Sequence, residues 1–396
     1  MSRTAHKLLS ASGSKDAYEI DQSLMFNSAD TAYLNRSPSS AGNRRTFTLS
    51  AWIKTTDGFA GDPIFCCGTG TNDASTTYIA FYQGKMYYQG YSTNYRVTNR
   101  LFRDVGAWYH FVWAVDTTIA DGSADNRIRL YVNGVEETSF GTKNNPAQNY
   151  EFIINSTNEH QLGDEGGQTG GYPPFDGYMA EVNFIDGLQL TPSSFGETDS
   201  ETNAWIPKKY GGAYGTNGFY LKFVSGAIGT DSSGEGNNYT ANNLANADVL
   251  LDTPTNNFPT LNSLMGNGAS GLSLSQGNLK AAQSSLTSET AKAYSTMAFV
   301  SGKWYAEVSC SAANVYSGHG VVNASQSSEN FDFSSSTNNV SAFTWGDRIF
   351  KNGSQTQSGT ANTASGSNIL GIALNLDDGT VQFYSNGSTT GSAETL

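Results

Sequence analysis

The clearest pattern in the chain is an alternation of apolar and polar positions over short segments. From Thr46 to Thr55 every second residue is apolar, namely Phe47, Leu49, Ala51 and Ile53. A repeat of two residues over this length predicts a half-buried β-strand. Two more runs, Tyr78 to Tyr82 and Lys85 to Tyr91, flank Gln83-Gly84, and this arrangement predicts a β-hairpin.

Similar short runs and turn signals recur along the chain as far as residue 240. Asn133-Gly134 follows the run from Arg127 to Val132, and an Asn-Gly pair supplies the two positive φ values that a tight hairpin turn needs. No segment before residue 270 shows helical periodicity over three turns. Regularly spaced short strands joined by turns predict an all-β sandwich or barrel.

Composition divides the chain into four segments. Residues 1–21 are polar and small without periodicity, and we predict that they form an N-terminal arm. Residues 22–240 hold the first strand-rich block. Residues 241–277 are rich in Asn, Ser and Gly and are predicted to be a linker. A second strand-rich block follows over residues 278–396.

Charge and cysteine content narrow the function classes. The formal net charge is −13, which disfavours nucleic-acid binding because phosphate backbones are repelled. No apolar run is long enough to cross a membrane, so membrane insertion is not expected. The first 15 residues lack the apolar stretch of a signal peptide. Cys66 and Cys67 are adjacent and Cys310 is distant, so we expect buried thiols rather than disulfides.

The first block resembles the laminin-G, concanavalin-A-like lectin/glucanase superfamily. The resemblance is carried, in order, by residues 48–54 (TLSAWIK), 108–113 (WYHFVW), 130–134 (LYVNG) and 175–182 (FDGYMAEV). It implies a concanavalin-A-like jelly-roll β-sandwich over residues 22–240. Residues 219–223 and the turn at 231–238 come last here, where many family members have them first. A circularly permuted jelly roll, with residues 219–223 closing the sheet, would explain this order.

The second block is similar to the SPRY family through residues 302–308 (GKWYAEV) and 371–387 (GIALNLDDGTVQFYSNG). The resemblance implies a second β-sandwich over residues 278–396. A SPRY sandwich needs one more strand after the second of these segments. We therefore expect this sandwich to be incomplete at the C-terminus.

The two blocks together, with residues 172–178, 205–210 and 252–257, resemble virion structural proteins of marine tailed bacteriophages. The resemblance implies a tail fibre or receptor-binding protein, assembled in the host cytoplasm and exposed on the particle surface. Expected partners are other virion proteins through residues 1–21, host-surface glycans, and further copies of the chain in a homo-oligomer. A capsid decoration or head-fibre protein is the alternative within the same class.

Catalytic chemistry is not predicted. Glucanases of this fold place paired carboxylates on one strand as Glu-x-Asp-x-x-Glu. The Glu-x-Asp at Glu19-Ile20-Asp21 continues with Gln22, Ser23 and Leu24, so it does not complete this pattern, and it precedes the first block. We therefore predict a protein that is not an enzyme. A polysaccharide-degrading enzyme with an unfamiliar carboxylate pair is the alternative from another class.

Two kinds of binding residue stand out. Tyrosine rings around the Gln83-Gly84 hairpin could stack on sugar faces, and the candidates are Tyr82, Tyr87, Tyr88, Tyr91 and Tyr95. The alternation of the strand requires that some of them be core residues instead. No cofactor is certain, and Ca2+ is the one that acidic loops could hold. The candidate ligands are Asp121, Asp125, Asn126, Asp164 and Glu165.

Overall fold

The computed structural model divides into two compact units, each described separately below. The first comprises Met1–Leu264 with Leu274–Ala281, and the second Met265–Ser273 with Ala282–Leu396. The structure describes residues 18–68, 70–165, 172–265, 272–283, 292–310, 318–323, 339–343, 348–359 and 368–396. Within these ranges, no helix is long and apolar enough to cross a membrane.

Strands dominate the described residues. In chain order they are β1 (Ser23–Phe26), β2 (Tyr33–Arg36), β3 (Thr46–Thr55), β4 (Gly61–Cys67), β5 (Thr77–Tyr82), β6 (Lys85–Gly90), β7 (Asn94–Thr98), β8 (Tyr109–Asp116), β9 (Ile128–Val132), β10 (Val135–Glu136), β11 (Phe140–Lys143), β12 (His160–Leu162), β13 (Gly177–Asp186), β14 (Gly196–Thr198), β15 (Trp205–Pro207), β16 (Phe219–Leu221), β17 (Thr240–Asn242), β18 (Val249–Leu250), β19 (Leu272–Ser275), β20 (Lys280–Gln283), β21 (Lys303–Cys310), β22 (Gly318–Val322), β23 (Asn339–Phe343), β24 (Arg348–Lys351), β25 (Ser354–Ser358), β26 (Asn368–Asn375), β27 (Thr380–Ser385) and β28 (Ser388–Thr395). Short 3-10 turns lie at Ser28–Asp30, Asp121–Arg127, Pro192–Ser194 and Asn246–Asp248.

Two antiparallel eight-stranded sheets build the first unit. The first sheet has the order β10-β9-β8-β3-β13-β1-β18, with β16 also paired to β13. The second sheet has the order β11-β7-β6-β5-β4-β12-β2-β17. Neighbours that are distant in sequence, such as β3 beside β13, characterise a jelly-roll sandwich rather than a series of hairpins. The predicted all-β jelly-roll fold is confirmed.

The core of the first unit lies between its two sheets. The alternating apolar side of β3 contributes Phe47, Leu49, Ala51 and Ile53, all fully buried, as the pattern predicted. Aromatic rings fill much of the space, and Phe59 and Phe81 stack with centroids 4.0 Å apart. Burial of one such ring from water contributes about 1.5–3 kcal/mol.

Local turn chemistry behaves as predicted at two hairpins. Gln83 and Gly84 join β5 to β6 with φ values of 53° and 73°. Asn133 and Gly134 join β9 to β10 with φ values of 47° and 81°. Two consecutive positive φ values give a turn whose twist matches that of the flanking strands, and Asn and Gly tolerate such values best.

Two different strands pair with successive parts of β13 along one of its edges. β1 pairs with it as far as Met179, and β16 pairs with it from Val182 to Phe184. The segment that was predicted to close the sheet therefore does lie in it. Glu181 occupies the junction with φ 50°, where the pairing with β3 also shifts register. A bulge of this kind re-aims a side chain.

The structure differs from the predicted linker over residues 241–264. β17 pairs with β2 and β18 pairs with β1, so this stretch extends both sheets of the first unit. Asp252 is also buried there. Residues 18–21, predicted as part of the arm, likewise pack on this unit, because Ile20 is buried and its N–H donates to Thr255 Oγ1. The rest of the predicted arm lies outside the described residues.

The second unit contains two antiparallel four-stranded sheets. Their orders are β21-β26-β27-β28 and β22-β23-β24-β25. A common core joins the two sheets and comprises Val340, Ala342, Ile349, Val381 and Phe383. Its sandwich character agrees with the predicted fold class, whereas its assignment to the SPRY family stays a prediction.

Candidate functional site

A buried ion pair joins the outer face of the first sheet to the chain segment that covers it. Lys54 projects from β3 away from the core, and its Nζ lies 2.8 Å from Asp252 Oδ2. The same ammonium donates to Asn257 Oδ1 and to the carbonyl of Phe258. Trp108 Nε1 donates to the other oxygen of Asp252 at 2.9 Å. Burial lowers the pKa of Lys54, and the Asp252 carboxylate opposes that shift.

A second contact over this face joins His110 to Trp205. Trp205 Nε1 donates to His110 Nδ1 at 3.0 Å, and the two rings stack with centroids 6.0 Å apart. The indole can only donate, so Nδ1 is unprotonated and Nε2–H donates to Ser50 Oγ at 2.8 Å. Burial lowers the pKa of His110 to about 3, which keeps this ring neutral.

A third contact is made by the earliest described residue. Tyr18 Oη donates to Glu181 Oε2 at 3.0 Å and lies 2.8 Å from Tyr220 Oη. Tyr220 donates to the other oxygen of Glu181. Burial raises the pKa of Glu181, while the two tyrosine hydroxyls oppose the shift. These three contacts bury the outer side of β3, β8 and β13, so this sheet offers no open surface there.

The second sheet is covered differently. Ile79 and Phe81 of β5 point into the core, so Ala80 and Tyr82 point outward. On β6 the core residues Met86 and Tyr88 alternate with the half-buried residues Lys85, Tyr87 and Gln89. Tyr82 is 41% exposed, and Tyr91, just after β6, is 48% exposed. Exposed aromatic side chains therefore concentrate on the outer face of this sheet.

Five residues form what we call the tyrosine face: Tyr82, Tyr87, Gln89, Tyr91 and Tyr172. The rings of Tyr82 and Tyr172 have centroids 5.6 Å apart at 51°, and those of Tyr82 and Tyr87 have centroids 6.3 Å apart at 71°. Gln89 Nε2 donates to Tyr172 Oη at 3.1 Å. Ala80 lies opposite Tyr87 in the strand register, and its side chain is buried in the cluster on which Tyr172 packs.

Tyr172 is held in place by the buried residues on which it packs. It packs on a small buried cluster of Cys66, Tyr78 and Ala80. Burial raises the pKa of Tyr172 to about 12, and the hydrogen bond from Gln89 opposes that shift. The phenol therefore remains protonated at neutral pH and can donate a hydrogen bond to a ligand. The face thus combines aromatic surface with fixed hydroxyl and amide groups.

The predicted tyrosines divide between this face and the core. Tyr82, Tyr87 and Tyr91 lie on the tyrosine face. Tyr88 and Tyr95 do not, because both pack against Phe152 in the core, and the prediction is corrected for these two. Sequence reasoning did not assign a binding role to Tyr172. Its only signal is the Tyr-Pro-Pro-Phe segment, which does not specify the strand that it contacts.

The first acidic loop proposed for calcium is occupied by cationic and amide partners. Asp121 pairs with Arg127 at 2.6 Å. Asp125 pairs with Lys143 at 2.8 Å and accepts a hydrogen bond from Asn145. The backbone carbonyl of the third candidate, Asn126, accepts from Gln189. Oxygens that already bind cationic groups are not gathered around a common point, as Ca2+ would require.

The second acidic loop is the pair Asp164 and Glu165. Asp164 accepts a hydrogen bond from the Glu165 backbone N–H at 2.8 Å. Glu165 is buried, and burial raises the pKa of its carboxyl group. In the part of the chain that the structure describes, no three His, Cys, Asp or Glu residues come together as a metal-binding group. The described residues thus provide no assembled calcium site.

Comparison with known proteins identifies the class of fold. The Laminin_G_3 family model, of the concanavalin A-like lectin/glucanases superfamily, matches residues 27–193. This match runs from β2 to β13 and includes strands of both sheets of the first unit. The fold of this unit is therefore of the concanavalin-A-like, laminin-G kind. No curated protein matches the chain.

Several solved structures are similar at low identity. A candidate carbohydrate-binding protein from Bacteroides ovatus shares 20% identity over 57% of this chain and 59% of its own length, with a TM-score of 0.37. A heptameric SAP-like pentraxin from Limulus polyphemus shares 17% over 48% of this chain and 94% of its own, with a TM-score of 0.32. Domains LG4-5 of the mouse laminin α1 chain share 10% over 100% of this chain and 83% of their own, also at 0.32.

Proposed function

We propose that the first unit binds carbohydrate on the tyrosine face. The observation that carries the proposal is the group of exposed and half-exposed tyrosine rings beside Gln89, on the outer side of β5 and β6. Aromatic rings can pack on the C–H faces of sugars while hydroxyl and amide groups bind sugar hydroxyls. The lectin-like fold of this unit and the closure of the other sheet both support this choice of surface.

The five residues have separate roles in this proposal. Tyr82, the more exposed partner in both ring pairs, provides the main stacking surface. Tyr172 and Gln89 are already joined by a hydrogen bond, so their polar groups are preorganised and lose little side-chain entropy on binding. Tyr87 and Tyr91 extend the surface along β6 and beyond its end.

We further propose that binding is not coupled to catalysis. A glycosidase needs two carboxyl groups about 5–10 Å apart in an open cleft. The acidic residues nearest to Tyr172 on its two sides in sequence are Glu165, which is buried, and Asp176, which is half-buried and whose pKa burial raises to about 6. The tyrosine face itself contains no carboxylate.

The biological setting that we propose is the surface of a bacteriophage particle, and it rests on the sequence resemblance alone. There the protein would form a homo-oligomer that presents its tyrosine faces to host glycans, with residues 1–17 contacting other virion proteins. Cryo-electron microscopy of intact phage particles tests this setting. Density at the tail supports a fibre, density at capsid lattice points supports decoration, and particles without the chain contradict a virion role.

The carbohydrate proposal is tested by Tyr82→Ala in a glycan-binding titration of the full chain. We expect about a tenfold loss of affinity, or about 1.4 kcal/mol, because the main stacking surface is removed. Tyr131→Phe, at a buried position of the first sheet, is the matched control and should leave affinity unchanged. Equal affinity of the Tyr82→Ala variant and the native protein would place the ligand elsewhere.

A further inference from the structure

We propose that the tyrosine face selects an uncharged glycan whose chain turns from one sugar to the next, over flat or acidic glycans. This inference rests on the proposed carbohydrate binding and defines the class of ligand. Two properties of the face carry it, namely the angles between its rings and the charges that surround it.

The ring angles determine the shape of chain that can stack. Tyr82 is inclined by 51° to Tyr172 and by 71° to Tyr87, so the three rings do not form one plane. A flat ribbon, such as a β-1,4-linked glucose chain, presents parallel sugar faces and can stack on only one of these rings at a time. A chain whose successive sugar faces turn, as in β-1,3- or α-1,4-linked glucose, can contact more than one.

The ring angles are held by the surrounding structure. Tyr172 is fixed by its packing on Tyr78 and by the hydrogen bond from Gln89. Tyr87 belongs to β6 and is positioned by its register opposite Ala80. Flattening the surface would require breaking these contacts, so a flat ligand would have to offset that cost from its own binding energy.

The charges around the face disfavour acidic sugars. Lys85, opposite Tyr82 at the hairpin end, is the one Lys or Arg residue in β5 and β6. Acidic side chains lie on the other side, where the Glu165 carboxyl group acts electrostatically on both Tyr172 and Tyr78. A uronic or sialic acid chain would meet these groups, and the net charge of −13 adds longer-range repulsion.

Four hexasaccharides of equal length test the inference by calorimetric titration of the full chain at about 0.15 M salt, where surface charges act over about 8 Å. The probes are β-1,3-linked glucose, α-1,4-linked glucose, β-1,4-linked glucose and α-1,4-linked galacturonic acid. We expect at least one of the first two to bind tenfold or more tightly than both of the others. Tightest binding of the flat or the acidic hexamer, or no binding of either turning hexamer, overturns the inference.

The Tyr82→Ala variant separates this inference from the proposed function. If the flat or acidic hexamer binds best and the variant loses that binding, the tyrosine face is a glycan site and the selectivity inference alone fails. If the variant keeps the native affinity for every hexamer that binds, the proposed function fails as well. Glu165→Gln provides a test of the charge argument, because Glu165 is the acidic residue that acts on Tyr172 and Tyr78. It should strengthen binding of the acidic hexamer severalfold and leave the neutral ones unchanged.

Discussion

The two sheets of the first unit have the same number of strands and share one core, yet other segments of the chain cover their outer faces to different extents. Nearly every residue of β3 and β13 is buried, because residues 188–264 and the segment around Tyr18 cover the first sheet. In the second sheet β4 is also buried throughout and β5 is buried except at Tyr82, but on β6 buried residues alternate with half-buried ones. A sheet buried on both sides serves as scaffold, whereas the exposed part of an outer face can present a binding surface.

The difference shows how the same strand pattern can be used in two ways. On β3 the outward residue Lys54 is neutralised by Asp252, about 200 residues further along the chain. On β5 and β6 the outward rings of Tyr82 and Tyr87 pair with each other, and Tyr82 also contacts Tyr172, whereas the outward Tyr78 is buried under Tyr172. In the proposed function, the covering of the first sheet leaves this part of the second sheet as the surface for a ligand.

The largest expected effect on stability comes from Asp252→Ala, which breaks the buried ion pair on the outer face of the first sheet. This change leaves the fully buried ammonium of Lys54 without its counter-charge and removes the acceptor of Trp108 Nε1. Loss of one partner from a buried ion pair costs about 3–5 kcal/mol. Urea unfolding followed by tryptophan fluorescence should report a decrease of that size in the free energy of unfolding.

The double variant Lys54→Met, Asp252→Leu is the control for this effect. Two apolar side chains of similar volume remove the buried charges together, so most of the stability lost in Asp252→Ala should return. A single Asp252→Ala variant as stable as the native protein would show that residues 241–264 do not cover the first sheet in solution.

The strands and turns of this unit can be predicted from local sequence, but the segments that cover its first sheet cannot. The alternation of β3 and the turn residues Gln83-Gly84 and Asn133-Gly134 predict strands and hairpins because the relevant forces act between near neighbours. Residues 241–264 have the composition of a linker, and their role depends on Lys54, which is distant in sequence. No short-range pattern encodes that pairing.

The candidate site could likewise be predicted only in part from local sequence. Alternation requires that one of Tyr87 and Tyr88 face the core, but it does not say which. Register decides, because Tyr88 lies opposite the core residue Ile79, while Tyr87 lies opposite Ala80. Tyr172 could not be assigned to the site from sequence, since it reaches the face from beyond β12.

A loss of stability of intermediate size is expected in acid, which protonates a buried histidine on the covered outer face of the first sheet. The pKa of His110 is lowered to about 3 in the folded protein, against about 6.5 when unfolded. The unfolded chain therefore binds the proton first, and the stability present above pH 6.5 is lost as pH falls toward 3. The loss should be on the order of 3 kcal/mol by pH 4.5.

His110→Gln should flatten this acid dependence, as measured by urea unfolding at several pH values. The fluorescence of Trp205 reports the contact directly, because protonated Nδ1 can no longer accept its N–H. His160→Gln is the control on the second sheet. Burial lowers the pKa of His160 to about 4, so this variant should also flatten the acid dependence, without a change at Trp205. An unchanged acid dependence in His110→Gln would contradict the neutral, buried ring.

The smallest expected effect distinguishes the two sides of β6. Tyr88 is fully buried, and among the described residues its hydroxyl has no hydrogen-bond partner. Tyr88→Phe removes an unsatisfied polar atom, so the free energy of unfolding should stay the same or rise by up to about 1 kcal/mol. Glycan affinity should not change, whereas Tyr87→Ala on the outward side should lower affinity with little effect on stability. Because neighbouring residues of one strand point to opposite faces, a loss of glycan affinity in Tyr88→Phe would mean that the register of β6 is shifted and that Tyr88, not Tyr87, belongs to the binding face.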